Sequence, residues 1–290
     1  AANTFAMESM TLLVASMVDK DKKADIRLEA AIAKMWGTEE AWRIVDDTMQ
    51  IRGGRGYETA DSLQKRGEEP VAVERLMRDC RINTIFEGSS EIMRLFIARE
   101  MLDPHLKVSG AVLDSRKPTA ERLKAALKAG LFYARWYPRQ WLPLGSGVPA
   151  GLHPKLANHL RYASKTSRRL ARRLFHAMVV HGPKLEREQV LLSRFVEIGA
   201  ELFAIIASCS RAQHLMESGA TDQRDEVLRL ADYFSASARL RIERNFDGLR
   251  SNTDRQGYRV AQAFLQSSVK CLEEGIVRDT RREGEAPADP

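Results

Sequence analysis

Residues 81–96 read RINTIFEGSSEIMRLF, and the rest of the chain is best understood outward from this stretch. An apolar pair, Ile85 and Phe86, meets a single acidic residue, Glu87, and then the breaker Gly88. Ser89, Ser90 and Glu91 follow as a helix N-terminal cap, ahead of Ile92, Met93, Leu95, Phe96 and Ile97 on the apolar side of a helix. Glu87 therefore hangs on the turn that enters a buried helix. Apolar neighbours oppose a charge at such a place, whereas the positive end of the following helix favours it. From the residues alone two readings stand: a solvent-facing Glu at a helix entry, or a carboxylate able to accept a proton from carbon.

Helical periodicity continues on both sides. Upstream, Met10, Leu13, Val14, Met17 and Val18 form an apolar stripe that ends in the charged break over residues 19–23. A second long helix from about residue 25 is expected to bury Ile26, Ala30, Ala33, Ile44, Val45 and Met49, and to expose Lys34, Glu39, Glu40 and Arg43. Gly53, Gly54 and Gly56 end it. This glycine run follows a helix, not a strand, and lacks the G-x-G-x-x-G spacing, so it reads as a helix stop and turn. Its glycines also let a backbone approach a phosphate closely. Residues 57–70 are polar and lead to a short helix over 71–78, and the helix after Glu87 is expected to close near Leu102, at Asp103-Pro104.

Downstream, a polar connector over residues 108–118 precedes a helical pattern that runs through Leu123, Leu127 and Leu131 to the aromatic cluster Trp136, Tyr137 and Trp141. An irregular crossing rich in Pro and Gly follows. The next helix, over residues 154–180, carries Lys155, Arg161, Lys165, Arg168, Arg169, Arg172 and Arg173 with no acidic residue. Such a face suits an anionic membrane surface, or solvation with acidic partners on neighbouring helices. Helices are further expected over residues 186–218, 222–250 and 257–275. No strand pattern and no internal repeat is found, so the fold class expected is all-α. The division expected is a helical domain over 1–107, a linker over 108–118, a second helical domain over 119–280 and a frayed tail over 281–290.

Composition narrows the function classes. The 290 residues are 44% hydrophobic and 29% charged, as in a globular protein, and no run reaches the ~18 apolar residues of a membrane span. Three cysteines, Cys80, Cys209 and Cys271, lie far apart, and His176 and His181 are spaced five apart, which splays them on a helix. No metal site is expected. The net charge is +7, divided between −4 over residues 1–104 (15 Lys+Arg, 19 Asp+Glu) and +11 over the remainder. A basic back half suggests an anionic partner. Nucleic acid is not expected, since no base-reading or stacking motif accompanies the cations.

Two longer motifs carry a resemblance. AAIAKMWGTEEAWRIVDDTMQIRGGRGY and VERLMRDCRINTIFEGSSEIMRLFIARE resemble the C-terminal helical domain of acyl-CoA dehydrogenases, over about residues 1–104. Phe86 before the Glu and the long helical region behind it resemble the very-long-chain branch, and the lengthened segment after Tyr57 resembles bacterial members.

The resemblance implies α,β-dehydrogenation of a long-chain fatty acyl-CoA with FAD as cofactor and an electron-transfer flavoprotein as acceptor. Glu87 matches the base that removes the α-proton, and its backbone N–H matches a donor to the thioester carbonyl, with Gly88 as the turn that aims both. Gln50, Gly53 and Gly54 match the turn that contacts the ADP portion of FAD in the neighbouring subunit of a homodimer. Ser89 and Glu91 match positions that touch the cofactor; Thr, and Gln or Asp, are common there in the family. Arg78 and Asp79 match a structural Arg-Asp pair. The N-terminal helical domain, the flavin-holding β-domain and an R-x-x-F-G motif are missing from the sequence, so it reads as the back half of a longer enzyme, inactive alone. The branch implies a bacterial cytoplasmic enzyme, peripheral on the inner membrane through the basic helix, or a mitochondrial matrix enzyme in a eukaryote. The competing reading is a non-catalytic assembly or membrane-binding scaffold of the same family.

Overall fold

The computed structural model describes residues 1–113, 116, 118–142, 147–219 and 222–266, and the regular elements among them are all helical, as the periodicity predicts. The first half comprises α1 (Ala2–Lys20), α2 (Arg27–Arg52), two short helices, α3 (Gly54–Tyr57) and α4 (Ala60–Lys65), then α5 (Val73–Ile82) and α6 (Ser90–Leu113). The second half comprises α7 (Thr119–Arg139), α8 (Pro154–His181), a 3-10 segment (Gly182–Arg187), α9 (Gln189–Glu217), α10 (Arg224–Gly248) and α11 (Asp254–Leu265). Two compact units result, Ala1–Arg250 and Ser251–Pro290. Among the described residues no helix is long and apolar enough to cross a membrane. The expected tail over 281–290, Cys271 and the end of the last expected helix lie outside the described residues.

In the first unit α9 is the central element, because its sequence is apolar on more than one face. Phe195, Val196, Ile198, Leu202 and Ile205 are all buried, against α1, α6, α8 and α10. Each contributes roughly 1.5–3 kcal/mol by leaving water. The same cluster takes in Phe5 and Met10 of α1, Met35 and Trp36 of α2 and Ile97 of α6, so side chains from before and after residues 108–118 share one core. Trp36 meets Phe234 of α10 edge-on at 5.7 Å, and its indole N–H donates to Glu201 of α9 at 3.4 Å. Glu201 is in turn held by two guanidinium hydrogen bonds from Arg241 of α10, at 2.6 and 2.9 Å.

Several expected boundaries move for identifiable reasons. Pro104 was expected to close a helix, yet α6 continues through it to Leu113. Proline removes one backbone hydrogen bond. The next residue, His105, offsets that loss by packing, buried, against Tyr133 and Trp136 of α7 and Phe175 of α8. The expected linker therefore begins as helix. In the polar stretch 57–70, Thr59 accepts from the Ser62 amide and Leu63 is fully buried, which suffices for α4. On α2 the expected interior residues Ile44, Val45 and Met49 are only half-buried, whereas Glu40, expected outside, is buried beside Arg43 and accepts from Asn3 at 2.7 Å.

The basic helix, α8, is partly committed to the fold, through three of its seven cations. Lys155 reaches Asp232 at 2.7 Å, Arg169 pairs with Glu243 at 2.6 Å and lies over the Phe246 ring, and Arg172 donates to the Gln140 carbonyl and lies over Trp141. Helix α7 presents the opposite picture. Leu123, Leu127 and Leu131 lie exposed at four-residue intervals, with Lys124, Lys128 and Arg135 exposed beside them.

Candidate functional site

The turn between α5 and α6 is built from local hydrogen bonds. The amides of Ile85 and Phe86 close back on the Ile82 carbonyl at 2.9 and 3.0 Å, and the Ser90 amide reaches the Thr84 carbonyl at 3.1 Å. The buried Thr84 hydroxyl is tied to Arg81, whose guanidinium stands over the Trp42 ring. The chain must then reverse within the few residues that remain, and Glu87 and Gly88 absorb the reversal with φ of 51° and 99°. Glu87 is the one non-glycine residue with positive φ among those described. That conformation costs on the order of 1 kcal/mol or more for a residue with a Cβ, and such strain concentrates at functional sites. A Cβ at position 88 would stand 2.7 Å from the Met93 sulfur, which a flexible side chain can relieve, so it is the φ of 99° that favours glycine there.

The sequence predicts Glu87 at a buried helix entry, but the carboxylate is exposed. Its apolar neighbours do not cover it, because they face outward themselves: Ile82 is 48% exposed, Ile85 52%, Phe86 44% and Ile92 58%. Four large apolar side chains exposed around one strained acid mark a contact surface for something apolar.

Lys34 of α2, expected outside, is half-buried and spans the turn. Its ammonium donates to the Gly88 carbonyl at 2.5 Å and to the Phe86 carbonyl at 3.3 Å. Helical periodicity carries no signal of this contact, which joins residues 52 and 54 positions apart.

At the start of α6, Ser89 acts as the cap, with its hydroxyl oxygen 3.4 Å from the Ile92 amide. The exposed Glu91 carboxyl is held below the usual carboxylate range, first by its own backbone N–H and next by the Ser89 hydroxyl. The hydroxyl of Ser90 is buried with no hydrogen-bond partner among the described residues. A groove of about 560 Å³ opens here, lined by Ser89, Ser90, Glu91, Arg81 and Thr84 on one side and by Glu39, Trp42 and Arg43 of α2 on the other. Arg81 and Arg43 line this groove together with the carboxylates of Glu39 and Glu91, and the Ser90 hydroxyl is buried at its edge, so the lining is polar and of mixed charge.

Gln50, Gly53 and Gly54 lie elsewhere. Gly53, with φ 58°, ends α2, and a Cβ added at Gly53 or Gly54 would meet nothing within 4 Å, so this backbone is open to an incoming group. Gly56, in contrast, is packed against α2, where a Cβ would stand 2.9 Å from the Met49 carbonyl oxygen. Lys34, at the Glu87 turn, precedes Gln50 by sixteen residues of helix, about 24 Å of rise. The structure thus groups Glu87, Gly88, Ser89 and Glu91 and sets Gln50, Gly53 and Gly54 apart from them. Among the described residues no cluster of three or more His, Cys, Asp or Glu could hold a metal.

One further connection leaves the site. Arg94, one turn into α6, binds Glu39 of α2 at 2.7 and 2.8 Å and Glu197 of α9 at 2.6 and 2.8 Å, and it also donates to the Ser90 carbonyl.

Comparison with known proteins gives two family matches. Residues 1–102 match the family model described as acyl-CoA dehydrogenase, C-terminal domain, and residues 154–272 match that of the ACAD9/ACADV C-terminal domain. The probable acyl-CoA dehydrogenase FadE10 of Mycobacterium tuberculosis is 43% identical over 287 residues, covering 98% of this chain and 44% of the relative. The very long-chain specific acyl-CoA dehydrogenase, mitochondrial, of Bos taurus is 30% identical over 274 residues, covering 94% of this chain and 39% of the relative. The chain thus spans less than half the length of these relatives. Among solved structures, an acyl-CoA dehydrogenase complexed with FAD from Bacillus anthracis shares the fold, with a TM-score of 0.59 and 21% identity over 84% of this chain and 39% of that one.

Proposed function

The chain belongs to the acyl-CoA dehydrogenase family, of which it carries the C-terminal part, and from that premise we propose that it serves the FAD-dependent α,β-dehydrogenation of long-chain fatty acyl-CoA within a longer polypeptide. The observation that carries this reading is Glu87: a carboxylate in a strained, clamped turn, with Ile82, Ile85, Phe86 and Ile92 of the same stretch exposed. In this reading the apolar side chains pack along the acyl chain and exclude water, and Glu87 takes the α-proton of the thioester. The C–H electron pair becomes the enolate, whose oxygen receives the backbone N–H of Glu87. Gly88 permits the reversal that aims the carboxylate and that N–H at one substrate.

The residues present fit the cofactor. The groove with the orphaned Ser90 hydroxyl would place Ser89 and Glu91 against it, and the open backbone of Gly53 and Gly54, with Gln50, would hold its ADP portion. Flavin, when bound, supplies the acceptor for the β-hydride. The separation of the two residue sets along α2 supports their serving different copies of the cofactor, and hence a homodimer. The electron acceptor proposed is an electron-transfer flavoprotein. Residues 1–107 and 119–280 are proposed to differ in role, the first bearing the site, although side chains of both share one core.

In the full-length protein, Glu87→Gln is expected to lower turnover of palmitoyl-CoA by a factor on the order of 10² to 10⁴ while flavin absorbance is retained. Undiminished turnover would remove Glu87 from the mechanism and favour the scaffold reading. A second role, peripheral attachment to an anionic membrane from the cytoplasmic or matrix side, is supported by α7, whose exposed leucines alternate with exposed lysines. The paired cations of α8 make that helix the weaker candidate.

A further inference from the structure

This inference rests on the reading of Glu87 as base and of its N–H as a donor to the substrate oxygen. Lys34 holds the two carbonyls that flank Glu87, at Phe86 and Gly88, and among the described residues it has no carboxylate partner. The Phe86 carbonyl and the Glu87 N–H are opposite ends of a single peptide group, electronically linked by resonance. A cation at the carbonyl end draws electron density toward that oxygen and makes the N–H a stronger donor. That N–H meets no acceptor among the described residues, so it is available to an incoming oxygen.

We propose that Lys34 is a positioning residue for the reaction. Through the peptide between Phe86 and Glu87 it strengthens the N–H that receives the developing enolate charge. By holding the Gly88 carbonyl as well, it keeps Glu87 in the left-handed conformation that presents both groups. A simple structural clamp would need only the hydrogen bonds; the electrostatic role also needs the charge.

The test uses the full-length, flavin-loaded protein with Lys34→Met, Lys34→Gln and Lys34→Arg. A 3-ketoacyl-CoA ionises at its α-carbon to an enolate, so the pH at which the bound ligand ionises, followed by absorbance, reports the oxyanion donors without turnover. Lys34→Met is expected to move that ionisation up by about one pH unit and to lower kcat about tenfold with KM within about threefold. Lys34→Arg restores both. Lys34→Gln keeps a neutral donor if methionine loosens the turn, and it is expected to behave like the methionine variant. Ligand ionisation unchanged in Lys34→Gln, with flavin content intact, overturns the role of the charge. A wild-type protein that binds no 3-ketoacyl-CoA overturns instead the dehydrogenase reading beneath it.

Discussion

Replacing Arg94 with Met tests how firmly the site helix is tied to the C-terminal region. Methionine keeps an apolar stem and deletes four guanidinium–carboxylate hydrogen bonds, two to Glu39 and two to Glu197. The side chains of Arg94, Glu39 and Glu197 are 20%, 18% and 26% exposed. Breaking a fully buried pair costs about 3–5 kcal/mol and a surface pair about 0–1. Discounted for this exposure, a loss of about 2–3 kcal/mol is expected at neutral pH, or a Tm lower by roughly 5–10 °C. The loss should depend on pH, and its sign follows from Glu197. Burial, the largest effect, raises the Glu197 carboxyl above its ordinary 4.5, and Arg94 opposes that rise. An acid raised in the folded state contributes stability that is full below its unfolded pKa and lost as pH rises through the folded one. Without Arg94 the carboxyl rises further, so the variant recovers as pH falls toward about 5. Urea unfolding followed by circular dichroism at about pH 7.5 and pH 5 measures both losses. Equal losses at the two pH values, or a loss under about 0.5 kcal/mol, would refute the reasoning.

Gly56→Ala should displace the turn at the end of α2, because its Cβ meets the Met49 carbonyl at 2.9 Å, a backbone atom with little freedom to move. A stability loss of about 1–3 kcal/mol in thermal unfolding is expected, with reduced flavin content in the full-length protein, whereas Gly54→Ala should leave stability unchanged. For the membrane role, Leu123→Gln with Leu127→Gln should abolish pelleting with vesicles containing an anionic phospholipid; unchanged pelleting would exclude α7 as the attachment.

Much of the architecture was legible because apolar residues recur at helical spacing, and α1, α8, α9 and α10 begin or end within a few residues of where that spacing places them. The failures have a common cause. Local propensity ends a helix at Pro104 and leaves the polar stretch before α5 without one, and tertiary burial of His105 and Leu63 overrides it. The Glu87 turn was legible as chemistry through its motif and through Gly88, but its exposure was not, since an apolar neighbour in sequence need not be a covering neighbour in space. Helical phase points Lys34 and Glu40 toward solvent. Phase gives a direction around α2 but does not say which direction meets the turn.

The position of α6 explains why residues far from Glu87 should matter to it. Ser89 and Ser90 open the helix at the turn, and Arg94 fixes the next turn to both α2 and α9. Met101 then packs close to α9 where Gly199 leaves room, its sulfur 3.7 Å from where a Cβ would stand. His105 ends the series among the aromatic rings of α7 and α8. Apart from the Arg94–Glu39 pair, these contacts reach into residues behind the 108–118 segment. The region beyond residue 118 therefore packs against the helix that opens at the site, although it supplies none of the groups proposed to touch substrate.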